Sequence, residues 1–480
     1  MKPTPIQIPG HRAGILPAAI AAVLTAAVPA GAQQNPVMQA GPAQPARPPA
    51  PAAAAGDAAS PTAPDWNPVE MVLGGNVPDT FAKGTLNLNL RLRYEQVAED
   101  HVKAITKDSY APTLRTRAGY TTAPLFGFQG MVEGVNVTSL APEHDYNAAG
   151  SNKQAARPVV ADPPLTKMDQ FWAGYSYTNW IQARVGRQAL NLDNQRFIGD
   201  VGWRQNMQTL DAAGVGSEPI EHLNLYYAYV WRVNRVFGNV DNLPAANTDF
   251  DSNSHLFNVS YSGWEYGRLA AYAYLLDLDN AAGGASSSAT YGGYFAGNAA
   301  LCDRLSADYR AEFAWQTQYG GSTLDYGAAY YNLEGGLSLQ PFALGAGYED
   351  LGSGGNSGVG GGQASFRTPL ATLHSFNGWA DVFLTTPADG LRDFYAYAQV
   401  TLPAQIPLRF IYHKYDADYG NGDYGQEFDA VISRKFGRHW SALVKYAYYR
   451  GEDAVVFTAK SAQAANVDLQ KIWAQVEFDF

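Results

Sequence analysis

The first strongly patterned stretch of the chain is GTLNLNLRLRYEQ, residues 84–96, in which hydrophobic and polar residues alternate. Leucine recurs at every second position from Leu86 to Leu92, and Tyr94 continues the series. Asparagine, arginine and glutamate occupy the positions between. A period of two predicts a β-strand with one apolar face and one polar face. The pattern alone leaves open whether the leucines face a protein core or lipid.

The same alternation recurs along most of the chain, in segments of about ten residues. Clear examples are TLRTRAGYTT (113–122), IQARVG (181–186), DYRAEFAWQ (308–316), LRFIYHK (408–414), WSALVKYAY (440–448) and KIWAQVEFDF (471–480). Together with weaker examples, these segments predict about eighteen antiparallel strands, and an even number is typical of single-chain outer-membrane β-barrels. The predicted fold class is therefore an all-β transmembrane barrel.

The links between the predicted strands fall into two length classes. Short links occur at 123–125, 263–266, 403–407 and 437–438, and long links occur at 97–112, 138–167, 189–206, 233–253, 277–306 and 451–468. Short periplasmic turns that alternate with long extracellular loops are typical of outer-membrane barrels. Counting strands along the chain places one further long link, 350–390, on the short-link side, although its length is typical of the other side.

The N-terminal part of the chain is predicted to contain an export signal and a tether. Basic residues precede the apolar stretch AGILPAAIAAVLTAAVPA, and Ala30-Gly31-Ala32 fits a cleavage site, so residues 1–32 are predicted to be a signal peptide, with a membrane anchor as the alternative. Residues 33–83 are an Ala/Pro-rich tether and lead-in, predicted to be largely disordered and periplasmic. Residues 84–480 form the barrel, and no later run of apolar residues is long enough for a transmembrane helix.

Composition excludes several classes of function. The formal net charge of −11 argues against nucleic-acid binding. The single cysteine, Cys302, excludes an intramolecular disulfide. No HExxH, CxxC or GxSxG motif occurs, so the sequence predicts no cofactor, no metal site and no enzymatic activity.

A channel interpretation turns the polar face of each strand toward the inside. The basic residues with inward parity are Arg91, Arg93, Arg115, Arg117, Arg184, Arg310, Arg409, Lys435 and Lys445, and they are the predicted pore lining. Acidic residues of the same parity are Glu95, Glu133, Asp308, Glu312, Asp429 and Glu477. The basic residues can form an anion path, or they can form a paired network that braces the lumen. Arg91, Arg93, Arg115 and Arg117 on neighbouring strands form the densest cluster, and like charges so close repel one another unless an anion or a carboxylate sits among them.

Two polar segments lie outside the predicted strands. The segment LDNQRFIGDVGWRQN contains Asp193, Arg196 and Arg204, which are candidates for a pore gate or for a loop that satisfies its own hydrogen bonds. The segment TLHSFNGWADVF contains His374 and Asp381, but neither a nucleophile motif nor metal spacing accompanies them. A packed loop core is the favoured interpretation of this second segment.

Three long stretches resemble one known family. GRQALNLDNQRFIGDVGWRQNMQTLDA (186–212), PLATLHSFNGWADVFLTTPADGLRDFYA (369–396) and RTRAGYTTAPLFGFQGMVEGVN (115–136) are similar to signatures of the alginate export family of outer-membrane porins. The resemblance covers the predicted barrel. It implies an eighteen-stranded barrel with an arginine-rich lumen that passes a polyuronate, with loops folding over the pore. The terminal strand also resembles the signal that the barrel-assembly machinery recognises through a last phenylalanine, here Phe480.

These observations predict an outer-membrane channel for an anionic polysaccharide such as an alginate-like polyuronate, or for related anionic solutes. Two alternatives stay open: a substrate-specific uptake porin for small anions, and a structural or adhesive barrel with a closed lumen. The expected partners are outer-membrane lipid, the anionic solute, the assembly machinery and a periplasmic partner of the tether.

Overall fold

The computed structural model describes residues 77–102, 104–178, 180–238, 240–354, 365–452 and 467–480. The predicted signal peptide, most of the 33–83 segment and most of the glycine run near residue 355 lie outside the described residues. The described part begins with a short helix, α1 (Val77–Ala82), which leads directly into the first strand.

The chain forms long β-strands joined in sequence order. They are β1 (Thr85–Asp100), β2 (Ser109–Thr121), β3 (Phe128–Ser139), β4 (Leu165–Tyr177), β5 (Ile181–Gln188), β6 (Thr209–Ile220), β7 (Leu223–Asn234), β8 (Phe250–Trp264), β9 (Gly267–Leu276), β10 (Ser288–Cys302), β11 (Leu305–Gln318), β12 (Gly327–Leu339), β13 (Phe342–Leu351), β14 (Leu391–Leu402), β15 (Ile406–Asp416), β16 (Asp423–Phe436), β17 (Trp440–Arg450) and β18 (Asp468–Asp479). A two-residue strand, Leu278–Asp279, extends β9 and pairs with β8. A short helix, α2 (Ala281–Gly284), follows it.

The sheet closes on itself. Each strand pairs antiparallel with the next, and the last strand returns to the first in the register Leu90↔Phe478 and Tyr94↔Ala474. The described residues thus form a closed antiparallel barrel of eighteen strands, which confirms the predicted fold class. Closure pairs the backbone groups that an open sheet edge would leave without partners.

The two faces of each strand are oriented as the alternation predicts. On β1 the leucines point outward, and Leu86 is 56% exposed while Arg93 is 1% exposed. Exposed leucine, valine and phenylalanine side chains cover the outer surface on the other strands too, for example Leu333 and Leu344. Aromatic residues such as Trp264 and Trp440 stand at the short-turn end. An apolar outer band with an aromatic rim suits a lipid bilayer.

The sidedness predicted for the link 350–390 is wrong. The predicted long link 277–306 contains a whole strand, β10 (Ser288–Cys302), whose run of glycine, alanine and serine shows little alternation. Omission of that strand from the count places the link 350–390 on the wrong side. The structure joins β13 to β14 on the same side as the other long loops, and Cys302 lies exposed next to a short turn on the opposite side.

The interior of the barrel is filled largely by loops from the long-loop side. We call residues 189–208 and 365–390 the inner loops, since they lie in the lumen, and a third loop, residues 140–164, packs beside them. Their apolar residues, such as Phe197, Leu370 and Tyr146, belong to one buried cluster with inward residues of the strands. Among the described residues, no helix is long and apolar enough to cross a membrane.

Candidate functional site: the barrel lumen

The first inner loop, 189–208, spans the lumen from wall to wall. Near its end, Arg204 donates to the Glu95 carboxylate on β1, with a contact of 3.2 Å from Nη1 to Oε2. Near its start, the Asp193 carboxylate accepts hydrogen bonds from the Tyr274 hydroxyl at 3.2 Å and the Tyr294 hydroxyl at 2.8 Å, on β9 and β10. Since β10 lies opposite β1 in the ring of strands, the loop crosses the whole diameter.

Contacts between aromatic rings hold the middle of this loop in place. The ring of Phe197 lies 5.2 Å from that of Tyr272, 5.4 Å from that of Tyr330 and 6.0 Å from that of Phe366, measured between centroids. Tilted and edge-on ring contacts at these distances add to the energy of apolar burial. Phe197 therefore fixes the loop against the wall formed by β9 and β12 and against the second inner loop.

The two inner loops form one body. Ile198 of the first loop and Leu370 of the second form a parallel β-bridge. Arg196 donates to both carboxylate oxygens of Glu349 on β13, at 2.7 and 3.0 Å, and its Nη2 also donates to Asn377 of the second loop at 3.0 Å. This bidentate pair is fully buried, so the first loop is held to the wall and to its neighbour by the same side chain.

Asp381 in the second inner loop is an acceptor shared by three parts of the chain. Its carboxylate receives Arg204 of the first loop at 2.7 Å, Lys471 of β18 at 2.8 Å and His374 of its own loop at 2.7 Å. Burial alone would raise the pKa of Asp381, but these contacts with His374, Lys471 and Arg204 hold it well below its ordinary range. For Arg204, burial opposes the charge, yet Glu95, Asp381 and Asp162 raise its pKa above the usual value.

His374 links this carboxylate to Lys445 on β17. Lys445 Nζ lies 2.8 Å from His374 Nε2, and because an ammonium group only donates, Nε2 accepts and the other ring nitrogen carries the proton given to Asp381. The imidazole stacks on Trp203 with ring centroids 4.5 Å apart. Lys445 Nζ also lies 3.7 Å from the Trp379 ring and 4.2 Å from the Trp203 ring. This environment requires a neutral histidine.

The four arginines of the predicted cluster on β1 and β2 all have partners. Arg91 and Arg115 share the Glu477 carboxylate at 3.0 and 2.9 Å. Arg93 donates to Gln475, faces Asp162 at 3.7 Å and lies over the Trp203 ring. Arg117 pairs with Asp169 at 3.2 Å and with Glu133 at 3.7 Å. Arg91 also donates to backbone carbonyls of the first inner loop. These contacts brace the loops.

The remaining predicted lining residues divide into two groups. Arg310 pairs with Glu312 at 2.7 Å, and Lys445 is enclosed as described above. By contrast, Arg184, Arg409 and Lys435 have no ion-pair partner within the ranges that the structure describes. Arg184 stacks on Trp172 and Arg409 stacks on Tyr397, each with 4.0 Å between the guanidinium carbon and the ring centroid. All three lie toward the short-turn end of their strands.

Several residues important to this arrangement are not among those predicted from the sequence. Asp162 and Trp203 lie in loops, Lys471 has inward parity on the last strand, and Glu349 ends a glycine-rich strand. Strand parity predicts an inward direction for Glu349 and Lys471, whereas it says nothing about the two loop residues. Within the described ranges, no group of histidine, cysteine or acidic residues is arranged to hold a metal ion.

A closed barrel with an apolar outer band, a charged lumen and loops folded inside defines an outer-membrane channel. The chain belongs to the alginate export family, whose model matches residues 86–438. It therefore lies in the outer membrane, with lipid against its outer surface and solute passing through the lumen.

The fold is also that of known porins. OccAB3 of Acinetobacter baumannii is 15% identical with a TM-score of 0.61, and the match covers 83% of this chain and 100% of that one. OccK9 of Pseudomonas aeruginosa is 13% identical with a TM-score of 0.62, covering 84% and 100%. OpdK of Pseudomonas aeruginosa, solved with vanillate, is 9% identical with a TM-score of 0.59, covering 82% and 98%. No curated protein matches the chain.

Asp381→Asn is expected to release the inner loops. The substitution keeps the shape of the side chain but leaves Arg204 and Lys471 without their shared anion, and breaking a buried ion pair costs about 3–5 kcal/mol. Purified protein in planar bilayers should show a higher mean conductance and more frequent current fluctuations than the wild type.

Asp389→Asn is the matched control, because Asp389 lies in the same loop and makes no ion pair in the part of the chain that the structure describes. It should conduct like the wild type. An Asp381→Asn channel with the conductance of the wild type would show that this carboxylate does not hold the loops in the lumen.

Acidification is expected to loosen the inner loops through His374. Burial lowers the pKa of His374 well below its ordinary value, and Lys445 and Arg204 lower it further against the pull of Asp381. A released loop takes up a proton below about pH 6.5, the ordinary value for histidine, whereas the folded loop does not. Stability of the folded loops is therefore complete above that pH and decreases as the pH falls below it.

Conductance measured between pH 7.5 and 5 should rise on acidification in the wild type, and His374→Gln should remove most of that rise. Asp381 itself, with its lowered pKa, stays ionised over this range and does not contribute. An acid response of unchanged size in His374→Gln would assign the effect to other groups, of which His413 beside Asp393 is the first to examine.

Proposed function

We propose that the barrel conducts an anionic polysaccharide, an alginate-like polyuronate, or related anionic solutes, along basic side chains of its lumen. Membership of the alginate export family supports this substrate class. The observation that carries the proposal is that the basic residues fall into two groups. Most form ion pairs that brace the inner loops, whereas Arg184, Arg409 and Lys435 have no acidic partner within the described ranges.

A polymer with a carboxylate on each sugar needs contacts that are weak and repeated. Passage requires binding that favours entry and still permits release. Guanidinium groups match carboxylates geometrically, and stacking on an aromatic ring holds the fork of Arg184 or Arg409 in one plane. These two arginines lie on β5 and β15, on nearly opposite sides of the ring of strands, so a chain entering from the short-turn side meets basic groups on both walls.

Two other functions have specific support. OpdK was solved with vanillate, itself a small carboxylate, and its similar fold supports an uptake porin for small anions. The first inner loop crosses the full diameter, which supports a structural barrel whose lumen its own loops close. Measured conductance separates the last function from the other two, and block by oligouronate rather than vanillate separates the first two.

The same proposal includes two partners. Phe480 is 61% exposed and follows the outward series on β18, which supports recognition by the barrel-assembly machinery. Helix α1 lies at the short-turn mouth, where the Thr80 carbonyl accepts a hydrogen bond from the Ala123 amide. This position supports a periplasmic location for the preceding tether and for any partner that it binds. No catalytic role is assigned to any residue of the lumen.

The wild-type channel is expected to prefer anions, and the double variant Arg184→Glu with Arg409→Glu should reduce or reverse that preference. The reason is that each substitution replaces a cation that has no ion-pair partner among the described residues by an anion near the short-turn mouth. Reversal potentials in a KCl gradient across a planar bilayer measure the preference.

Arg304→Glu with Arg438→Glu is the control. Both residues are exposed in turns at the same end of the barrel, so the variant changes the net charge equally without changing the lumen wall. It should stay close to the wild type. A cation-selective wild type, or equal effects of the two double variants, would contradict a basic conduction path.

A further inference from the structure

Arg184 on β5 combines a fixed orientation with a free hydrogen-bonding edge. Its guanidinium carbon lies 4.0 Å from the centroid of the Trp172 ring on the neighbouring strand. Within the described ranges it makes neither an ion pair nor a hydrogen bond, and its side chain is only partly buried. Stacking on an aromatic ring occupies the face of a guanidinium and leaves its N–H groups pointing outward in the plane.

Arg310 on β11 shows what such a guanidinium does when a carboxylate is within reach. Its guanidinium carbon lies 3.8 Å from the centroid of the Tyr294 ring, so it is stacked in the same manner. Its Nε and Nη2 donate to the Glu312 carboxylate at 2.9 and 2.7 Å. The lumen thus contains stacked guanidinium groups of both kinds: Arg310 has an internal carboxylate, whereas Arg184 and Arg409 have none in the described part of the chain.

Tyr226 on β7 completes the surroundings of Arg184. Gly214, the residue opposite Arg184 on β6, has no side chain, and a Cβ placed there would lie 2.7 Å from the Tyr226 hydroxyl oxygen. The tyrosine ring therefore lies close against the wall of β6. Its hydroxyl has no hydrogen-bond partner within the described ranges, and Gln182, two residues from Arg184 on the same face of the strand, is exposed.

We propose that Arg184, Trp172, Tyr226 and Gln182 form a subsite for the carboxylate of a sugar acid at the short-turn mouth of the lumen. The carboxylate binds the free edge of Arg184, as Glu312 binds that of Arg310. The Tyr226 hydroxyl and the Gln182 amide bind ring hydroxyls, and the tyrosine face packs against the C–H face of the pyranose. This subsite rests on the proposed function, because it supplies the first contact for a polyuronate.

The chemistry at Arg184 recognises a carboxylate on a six-membered ring, which uronates and small aromatic acids share. A uronate also offers hydroxyl groups to Tyr226 and Gln182, whereas a neutral sugar lacks the carboxylate. Because the inner loops lie beyond the subsite, a soluble ligand reaches it more readily from the short-turn side. This subsite can therefore be distinguished from others in the lumen in two ways: by the side of the membrane to which the ligand is added, and by the chemical class of the ligand.

The test measures block of the single-channel current by an oligouronate, by vanillate and by a neutral oligosaccharide of equal length, each added from either side. The wild type should be blocked by the oligouronate at the lowest concentration, from the short-turn side. Arg184→Gln should raise the blocking concentration about tenfold, the effect of losing one charge-assisted bidentate contact. Arg184→Lys keeps the charge without the fork and should fall between.

Arg304→Gln removes the same charge from an exposed turn at the same end and should leave the block unchanged. A shift in gel migration on heating should show that each variant forms a folded barrel. Oligouronate block of equal strength in Arg184→Gln and the wild type would overturn the subsite while leaving the proposed function intact. Vanillate block stronger than oligouronate block, abolished by Arg184→Gln, would reassign the subsite to small aromatic acids. A wild type that no carboxylate blocks would overturn both proposals.

Discussion

The arrangement inside the barrel depends on the buried carboxylate of Asp381. Three cationic or hydrogen-bonding groups from three parts of the chain meet on it: Arg204 from one inner loop, His374 from the other and Lys471 from the last strand. A buried charge is stable only when its partners are in place. The loops and the wall therefore take up their positions together, and β18, which closes the sheet against β1, also anchors the contents of the lumen.

Alternation along the chain predicts most of the strands and the direction of their side chains. On β1 the leucines face lipid and the arginines face the lumen. The outer surface of a membrane barrel contacts the bilayer and its interior is polar, so the polar face of each strand is the inner one. β10 escaped the prediction, since glycine and alanine carry no clear alternation. A strand count that leaves β10 out places residues 350–390 at the wrong end of the barrel, whereas the lengths of the links 403–407, 437–438 and 451–468 indicate their sides correctly.

The partners of the charged residues could not be predicted in the same way. Strand order alone places Arg93 and Arg115 on neighbouring strands, so from the sequence they form a cluster of like charges. Their actual partners include Asp162 in a loop and Glu477 on the last strand, both far away in sequence. Loop conformation decides which lumen charges are neutralised, and the alternation contains no information about that conformation.

Neutralisation of this kind limits where an anion can bind strongly. A substrate carboxylate at Arg115 would have to displace Glu477, which would lose one of its two arginine partners, so the exchange gains little. At Arg184 there is no such competitor among the described residues, and the guanidinium is already held in place by Trp172. The distribution of acidic partners, more than the number of arginines, thus separates the part of the lumen that holds loops from the part that can hold solute.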